Sequence, residues 1–277
     1  MGGSRGAVAI AAGIAAVAAA CQSSQSSSPA HAPNVALAPA DAIPLKVSIS
    51  GGSVMTGATI GMQRKETAVS PFAISKSPVT VAEYKRCVDA GACSVPSIKG
   101  GACASSNGNS GATFDATGTA DRPVTCVTGA EATAFCSWVG GRLPHASEWM
   151  LAARGPAVQR YAWGTATPTC AQRANARAGA EDCCGSSCTS DDAVKVATHS
   201  AGDSPLGVSD VLIAPAELMS ADPVGGTPLC SVPAKACTVS GLLPGSIDFF
   251  TREVEEGKPG SRPLATSFRC AWEGAAQ

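Results

Sequence analysis

Apolar and polar positions alternate with a period of two in Lys46-Val47-Ser48-Ile49, which predicts an edge strand, and Gly51-Gly52 turns it. Two more short strand-like runs follow, Ala58 to Met62 and Val69 to Ile74. The period then changes. Thr80-Val81-Ala82-Glu83 is a capping box opening a helix with Tyr84, Cys87 and Val88 on one face, and Gly91 stops it. A loop rich in Gly, Ser and Asn leads from Ser94 to Arg122, past Cys103, into the strand-like Pro123 to Val127. Thr128-Gly129-Ala130-Glu131 is a second capping box, and its helix turns Ala132, Phe135, Cys136 and Val139 inward. That helix ends on Gly140-Gly141. Arg142-Leu143-Pro144 makes a turn, and a third helix sets Trp149, Ala152 and Ala153 on one face before Gly155 ends it. Beyond Gly155 the pattern breaks into short apolar pieces between Gly, Pro and Cys, and the last strand-like run is Thr266 to Trp272.

Composition supports a loop-rich α+β fold rather than a helical bundle. Aromatic residues make up only 4% of the 277 positions, against 30 Gly and 19 Pro. A formal net charge of -1 leaves no electrostatic footprint for nucleic acid. The thirteen cysteines include no zinc-like Cys-x2-Cys pair, which points to an oxidising compartment and a disulfide framework. Cys93 lies six residues beyond Cys87, close enough for a local bridge across the turn.

The amino terminus agrees with export. Arg5 precedes an apolar run from Ala7 to Ala20, too short to span a bilayer comfortably and followed by Cys21. Residues 1–20 therefore read as a signal peptide. Cys21 resembles the acylated first residue of a bacterial lipoprotein, and its removal from the count leaves an even twelve thiols. The alternative is ordinary signal cleavage with secretion as a soluble protein. Residues 21–44 form a lipidated Cys and a Ser-, Ala- and Pro-rich tether, and residues 45–277 the folded domain.

Several stretches then carry a resemblance. They are Ser70 to Lys76 with Val79-Thr80 and Glu83-Tyr84; Pro123-Val124 through Ala134-Phe135-Cys136-Ser137-Trp138; and Gly141-Arg142-Leu143-Pro144 with Glu148-Trp149. Tyr161-Ala162-Trp163-Gly164, Ser204-Pro205 with Gly207-Val208 and Asp210, and Phe268-Arg269-Cys270-Ala271 follow. In order and spacing they resemble the formylglycine-generating enzyme, or sulfatase-modifying factor, family. The resemblance implies one α+β domain related to C-type lectins, with little regular secondary structure, rich in disulfides, and with Cys136 bridged to Cys270.

Departures from the family pattern bear on chemistry. Active aerobic members bind copper(I) through two cysteines shortly before the Phe-Arg-Cys-Ala strand, since soft thiolates suit that ion. Between Thr238 and Arg269 this chain has no cysteine. Cys230 and Cys237 lie upstream at the wrong spacing and read as a disulfide. The family's calcium-binding Gly-Asn-x-Trp-Glu-Trp is replaced by Ile213-Ala214-Pro215-Ala216-Glu217-Leu218, which keeps only Glu217. Asn175 matches the Asn of a second calcium site, its partner open among Glu181, Asp182, Asp191 and Asp192. Cys183, Cys184, Cys188 and His199 could be drawn as a metal site but read as separate disulfides. His145 stands at a helix start where the family has Thr and reads as a solvent-exposed weak cap, while Arg142 and Glu148 read as a structural pair across the turn.

Together these readings predict an exported lipoprotein held at the bacterial cell envelope, with no catalytic residue assigned. Copper is not expected, and calcium at Asn175 and Glu217 is the one cofactor left open. The expected partners are an extended peptide, a protein or a glycan, with the membrane engaged through the lipid anchor and no nucleic acid. The alternative is a formylglycine-generating oxidase, or a related metal-dependent oxidoreductase, acting on a protein cysteine.

Overall fold

Strand Phe72–Ser75 (β4) is buried along its whole length, because both faces of the sheet it centres are covered. The computed structural model describes residues 2–3, 37–56, 65–97, 112–156, 162, 166, 195–198, 200–211, 216–220, 237–240, 250–253 and 266–274. Residues 35–277 form one unit, and of residues 1–34 only Gly2 and Gly3 are described. The elements run β1 (Lys46–Ile49), β2 (Gly52–Thr56), β3 (Lys65–Val69), β4, α1 (Val81–Asp89), α2 (Gly129–Trp138) and α3 (Ala146–Arg154). After these come β5 (Ala216–Met219), β6 (Cys237–Ser240), β7 (Phe250–Glu253), β8 (Thr266–Phe268) and β9 (Ala271–Glu273). Three sheets result: β1-β4-β9, the hairpin β2-β3, and β7-β6-β5-β8, in which only the β5-β8 pairing is parallel.

The period of two sorts the central sheet into two cores. Phe72 and Ile74 join Ile49, Trp149, Leu151 and Ala271 on one side, while Ala73 and Trp272 join Tyr84, Phe135, Cys136 and Phe268 on the other. Helix α3 therefore fills one core and α1 with α2 the other. Tyr84 sits amid Phe114, Phe135 and Phe268 with ring centroids 5.9, 5.8 and 6.3 Å away, and its hydroxyl donates to Ser94 O at 3.1 Å. Burial, followed by the Glu131 charge, pushes the Tyr84 pKa up, so the phenol stays neutral.

Both predicted capping boxes form. Thr80 Oγ1 accepts from Glu83 N at 3.2 Å while Thr80 N donates to Glu83 Oε2 at 2.7 Å, and Thr128 with Glu131 repeats the pattern. The Cys87–Cys93 bridge closes the end of α1. Cys136–Cys270 joins α2 to the segment between β8 and β9 across 134 residues, a closure worth about 4–5 kcal/mol in the chain-entropy account. Cys126 is disulfide-bonded as well.

Four expectations need correction. Val69 to Ile74 is two strands in different sheets, parted at Ser70-Pro71, where proline has no N–H to donate to a ladder. Thr266 to Trp272 likewise divides into β8 and β9, parted at Arg269-Cys270. Pro123 to Val127 forms no strand, only a bridge between Pro123 and Thr80. There Thr113 Oγ1 donates to Pro123 O and accepts from Thr125 N at 2.8 and 3.0 Å on one edge, Val124 N and Cys126 N donate to Val79 O and Thr266 O at 2.8 and 3.1 Å on the other, and Cys126 takes φ 64. Finally, packing begins ahead of Leu45: Ala38 N donates to Trp138 O at 2.9 Å, and Ala42, in the 3-10 turn Ala40–Ala42, is buried in the core. The run Ala58 to Met62 lies outside the described residues. Among the described residues no helix is long and apolar enough to cross a membrane.

Gly141 is required by close approach. A Cβ there would lie 2.6 Å from Ala271 O and 2.8 Å from Trp272 Nε1. Gly140, with φ 74, faces open space. Gly141→Ala should therefore destabilise by about 1–3 kcal/mol by overpacking, and Gly140→Ala by about 1–2 kcal/mol through its left-handed backbone alone. Urea midpoints of the two variants check the order.

Candidate functional site at the sheet crossover

The chain leaves β8 in one sheet and enters β9 in another, and Arg269 stands at that crossing with no exposure to solvent. A buried guanidinium needs a counter-charge and acceptors for all its N–H groups. Glu217 on β5 supplies the charge: Arg269 Nε donates to Oε2 and Nη2 to Oε1, both at 2.6 Å. The remaining donors reach main-chain oxygens of Ser75, Lys76 and Ser209 at 3.2–3.4 Å. Trp149 Nε1 on α3 adds a bond of 2.8 Å to Glu217 Oε2. One ion pair thus gathers β4, β5, α3, the crossover and the loop carrying Ser209.

Neighbouring bonds lock the crossing. Ser75 N donates to Cys270 O at 2.8 Å and Cys270 N to Ser75 Oγ at 3.1 Å, beside the Cys136–Cys270 bridge. Arg142 N and O exchange bonds with Ala271 at 2.9 and 2.7 Å. Its guanidinium grips both oxygens of Glu148 at 2.7 Å and donates to Glu273 at 2.9 Å, which raises the Arg142 pKa and lowers that of the exposed Glu273. The predicted Arg142–Glu148 pair is thereby present, and His145 N adds a bond of 2.8 Å to Glu148 Oε2. The His145 ring is half-buried rather than fully exposed, with Nδ1 3.0 Å from Ser220 Oγ.

Two further acids, Asp203 and Asp210, sit on the segment from Ser200 to Val211. Asp203 Oδ2 accepts from Ser209 Oγ at 3.0 Å and Asp210 Oδ2 from Ala197 N at 2.6 Å, while Oδ1 of each is buried with no hydrogen-bond partner among the described residues. Burial pushes Asp210 up to about 6, aided by the charges of Asp203 and Glu217 and opposed by the Ala197 bond and Arg269. Burial raises Asp203 as well. Asp210 can take up a proton at mild acidity. Among the described residues no three His, Cys, Asp or Glu side chains are grouped to hold a metal ion.

Glu217, expected as a remnant of a calcium site, has both oxygens engaged by Arg269 and Trp149. Cys136 meets Cys270 and Cys87 meets Cys93. Cys21, Asn175, Cys183, Cys184, Cys188, His199 and Cys230 lie outside the described residues, and Cys237 opens β6. Sequence reasoning did not single out Arg269 as the centre. Its signal was a lone charge inside the apolar run from Phe268 to Trp272.

The sequence model of sulfatase-modifying factor enzyme 1-like domains matches residues 32–212. The chain belongs to that family. The match begins ahead of Leu45, as does the packing, so this sulfatase-modifying factor-like domain takes in part of the presumed tether. A segment of 55 residues is 51% identical to the formylglycine-generating enzyme of Streptomyces coelicolor, covering 20% of this chain and 18% of that protein. Among solved structures, the chain is similar to PvdO from Pseudomonas aeruginosa at TM-score 0.57 and 18% identity, over 83% of this chain and 95% of that one. Treponema denticola variable protein 1 gives TM-score 0.53 at 17% identity over 82% and 94%, and CarF 0.51 at 17% over 85% and 100%. At these identities the likeness is one of fold, and it agrees with an α+β domain.

Two predictions follow from the buried charges. Arg269→Met leaves Glu217 buried without its counter-charge, so it should lower unfolding free energy by about 3–5 kcal/mol, and pairing it with Glu217→Leu should recover much of the loss; urea denaturation of the oxidised protein measures both. Asp210 binds its proton more tightly folded than unfolded, so its favourable contribution is full below about pH 4 and lost as pH rises through about 6. Asp210→Asn, which suits the φ of 61 and keeps an acceptor for Ala197 N, should stabilise by about 1–3 kcal/mol at pH 7 and by little at pH 4. The difference in urea midpoint between variant and parent at the two pH values reads this directly.

Proposed function

We propose that this chain is an exported, lipid-anchored member of the family that binds an extended peptide, a protein or a glycan at the cell envelope and does not generate formylglycine. The observation that carries the reading is the absence of cysteine between Thr238 and Arg269, where the resemblance puts the copper-binding pair of active members. The residues present do not fit copper(I), which needs soft thiolate donors. Cys87, Cys93, Cys126, Cys136 and Cys270 are all in disulfides and offer no thiolate. The family match also ends at residue 212, before the segment concerned. In this reading Glu217 serves Arg269 and Trp149, not calcium.

The 51% identity with a formylglycine-generating enzyme over 55 residues favours a second reading, an oxidase of a protein cysteine with its metal moved to Cys230 and Cys237. Copper loading followed by an oxidation assay on a Cys-x-Pro-x-Arg peptide separates the two. The binding reading expects no stoichiometric Cu(I) and no formylglycine; either result in the positive supports the oxidase. Metabolic labelling with a fatty acid tests the anchor, with label on the parent and none on Cys21→Ser expected.

A further inference from the structure

Every pairing in the sheet β1-β4-β9 is antiparallel, and β1 is one of its two edges. Lys76 N donates to Leu45 O at 2.7 Å, and these two residues stand opposite each other one step beyond the Lys46–Ser75 pair. Bonded and unbonded pairs alternate along an antiparallel ladder. Leu45, Val47 and Ile49 therefore turn their main-chain groups toward β4, while Lys46 and Ser48 turn theirs outward. Both outward residues are exposed, and among the described residues none of their N–H and C=O groups has a partner. The other edge is met by Arg142, which exchanges main-chain bonds with Ala271 on β9. Among the described residues, β1 thus offers a row of main-chain donors and acceptors that only water meets.

The side chains along this edge select what can add to it. Leu45 and Val47 share one face by the period of two, Leu45 70% exposed and Val47 half-buried. Lys46 and Ser48 share the other face. Lys46 Nζ lies 4.1 Å from the Trp272 ring centre, and among the described residues no carboxylate is within ion-pair range of it. A lysine on a free edge guards it against a second copy, because antiparallel pairing of two β1 strands brings both Lys46 ammoniums to one face. The same lysine favours a strand whose acids fall on that face. We propose that the outer edge of β1 docks an extended peptide in which apolar and acidic residues alternate, added antiparallel as a further strand of the sheet. Its main chain bonds Lys46 and Ser48, its apolar side chains cover Leu45 and Val47, and its carboxylates meet Lys46. This inference rests on the peptide-binding reading above and deepens it, since it selects a peptide among the ligands named there and gives it a place.

Fluorescence anisotropy of a labelled Val-Glu-Val-Glu-Val peptide with the full, oxidised chain tests it, with the formylglycine assay run on the same sample. Saturable binding is expected. Ser48→Pro removes one outward N–H, a change that an edge strand tolerates, so it should weaken binding at least tenfold with Tm unchanged. N-methylation of the two Glu amides, which face β1 in antiparallel pairing, should do the same, while N-methylation of the Val amides should change binding less than threefold. Lys46→Glu should reverse the preference in favour of Val-Lys-Val-Lys-Val. No saturable binding at millimolar peptide, or equal loss on methylating either set of amides, overturns the edge. Self-association of the chain that Ser48→Pro abolishes gives the edge to a second copy and overturns the peptide. Binding indifferent to both Ser48→Pro and Lys46→Glu keeps the peptide-binding reading and overturns the edge alone; edge binding together with a formylglycine product keeps the edge and overturns the non-catalytic reading; formylglycine without edge binding overturns both.

Discussion

An arginine with no solvent can exist only where its charge and every N–H are met, and that demand organises this domain. Arg269 meets it by drawing together a glutamate from β5, main-chain oxygens from the end of β4 and from the Ser209 loop, and, through Glu217, a tryptophan from α3. Such a pair is not an efficient source of stability, because desolvation offsets most of its attraction. Its effect is on uniqueness. An arrangement that parts Arg269 from Glu217 leaves a charge buried and unmatched, which favours this solution for the crossing from β8 to β9. The Cys136–Cys270 bridge then holds that solution covalently, one residue along the chain.

The stretch from Trp138 to Gly155 takes its meaning from the same centre. Gly141 lets the turn lie against Ala271 and Trp272, Arg142 pairs with Ala271 through the main chain and with Glu148 through its side chain, and Trp149 reaches Glu217. Gly141, Arg142, Glu148 and Trp149 each touch the crossover or brace a residue that does. The stretch therefore specifies architecture. Formylglycine chemistry would need thiolates from a different part of the chain, so the scaffold can persist where the copper pair does not.

Local signals were legible where a local interaction decides the structure. Two capping boxes, the edge strand Lys46–Ile49 and the stop at Gly155 need only neighbours in sequence, and all four are present. Strand boundaries failed where a distant partner decides. Near Val69 only the proline of Ser70-Pro71 hints at a break, and it does not say that Phe72 pairs in a different sheet; near Phe268 only the charge of Arg269 interrupts the run to Ala271. The lone charge of Arg269 marked the second break, yet its partner is 52 positions away in a segment departing from the family pattern. The raised acids Asp203 and Asp210 were equally hidden, since burial by tertiary packing and not sequence sets them.

Whether the scaffold is kept without the thiolate centre is decided by mass-spectrometric mapping of disulfides in the native, unreduced protein. Loss of the centre predicts that all twelve cysteines other than Cys21 are paired, with Cys136 to Cys270 and Cys87 to Cys93 among the bridges. Two cysteines that stay free and together take up copper(I) would contradict it.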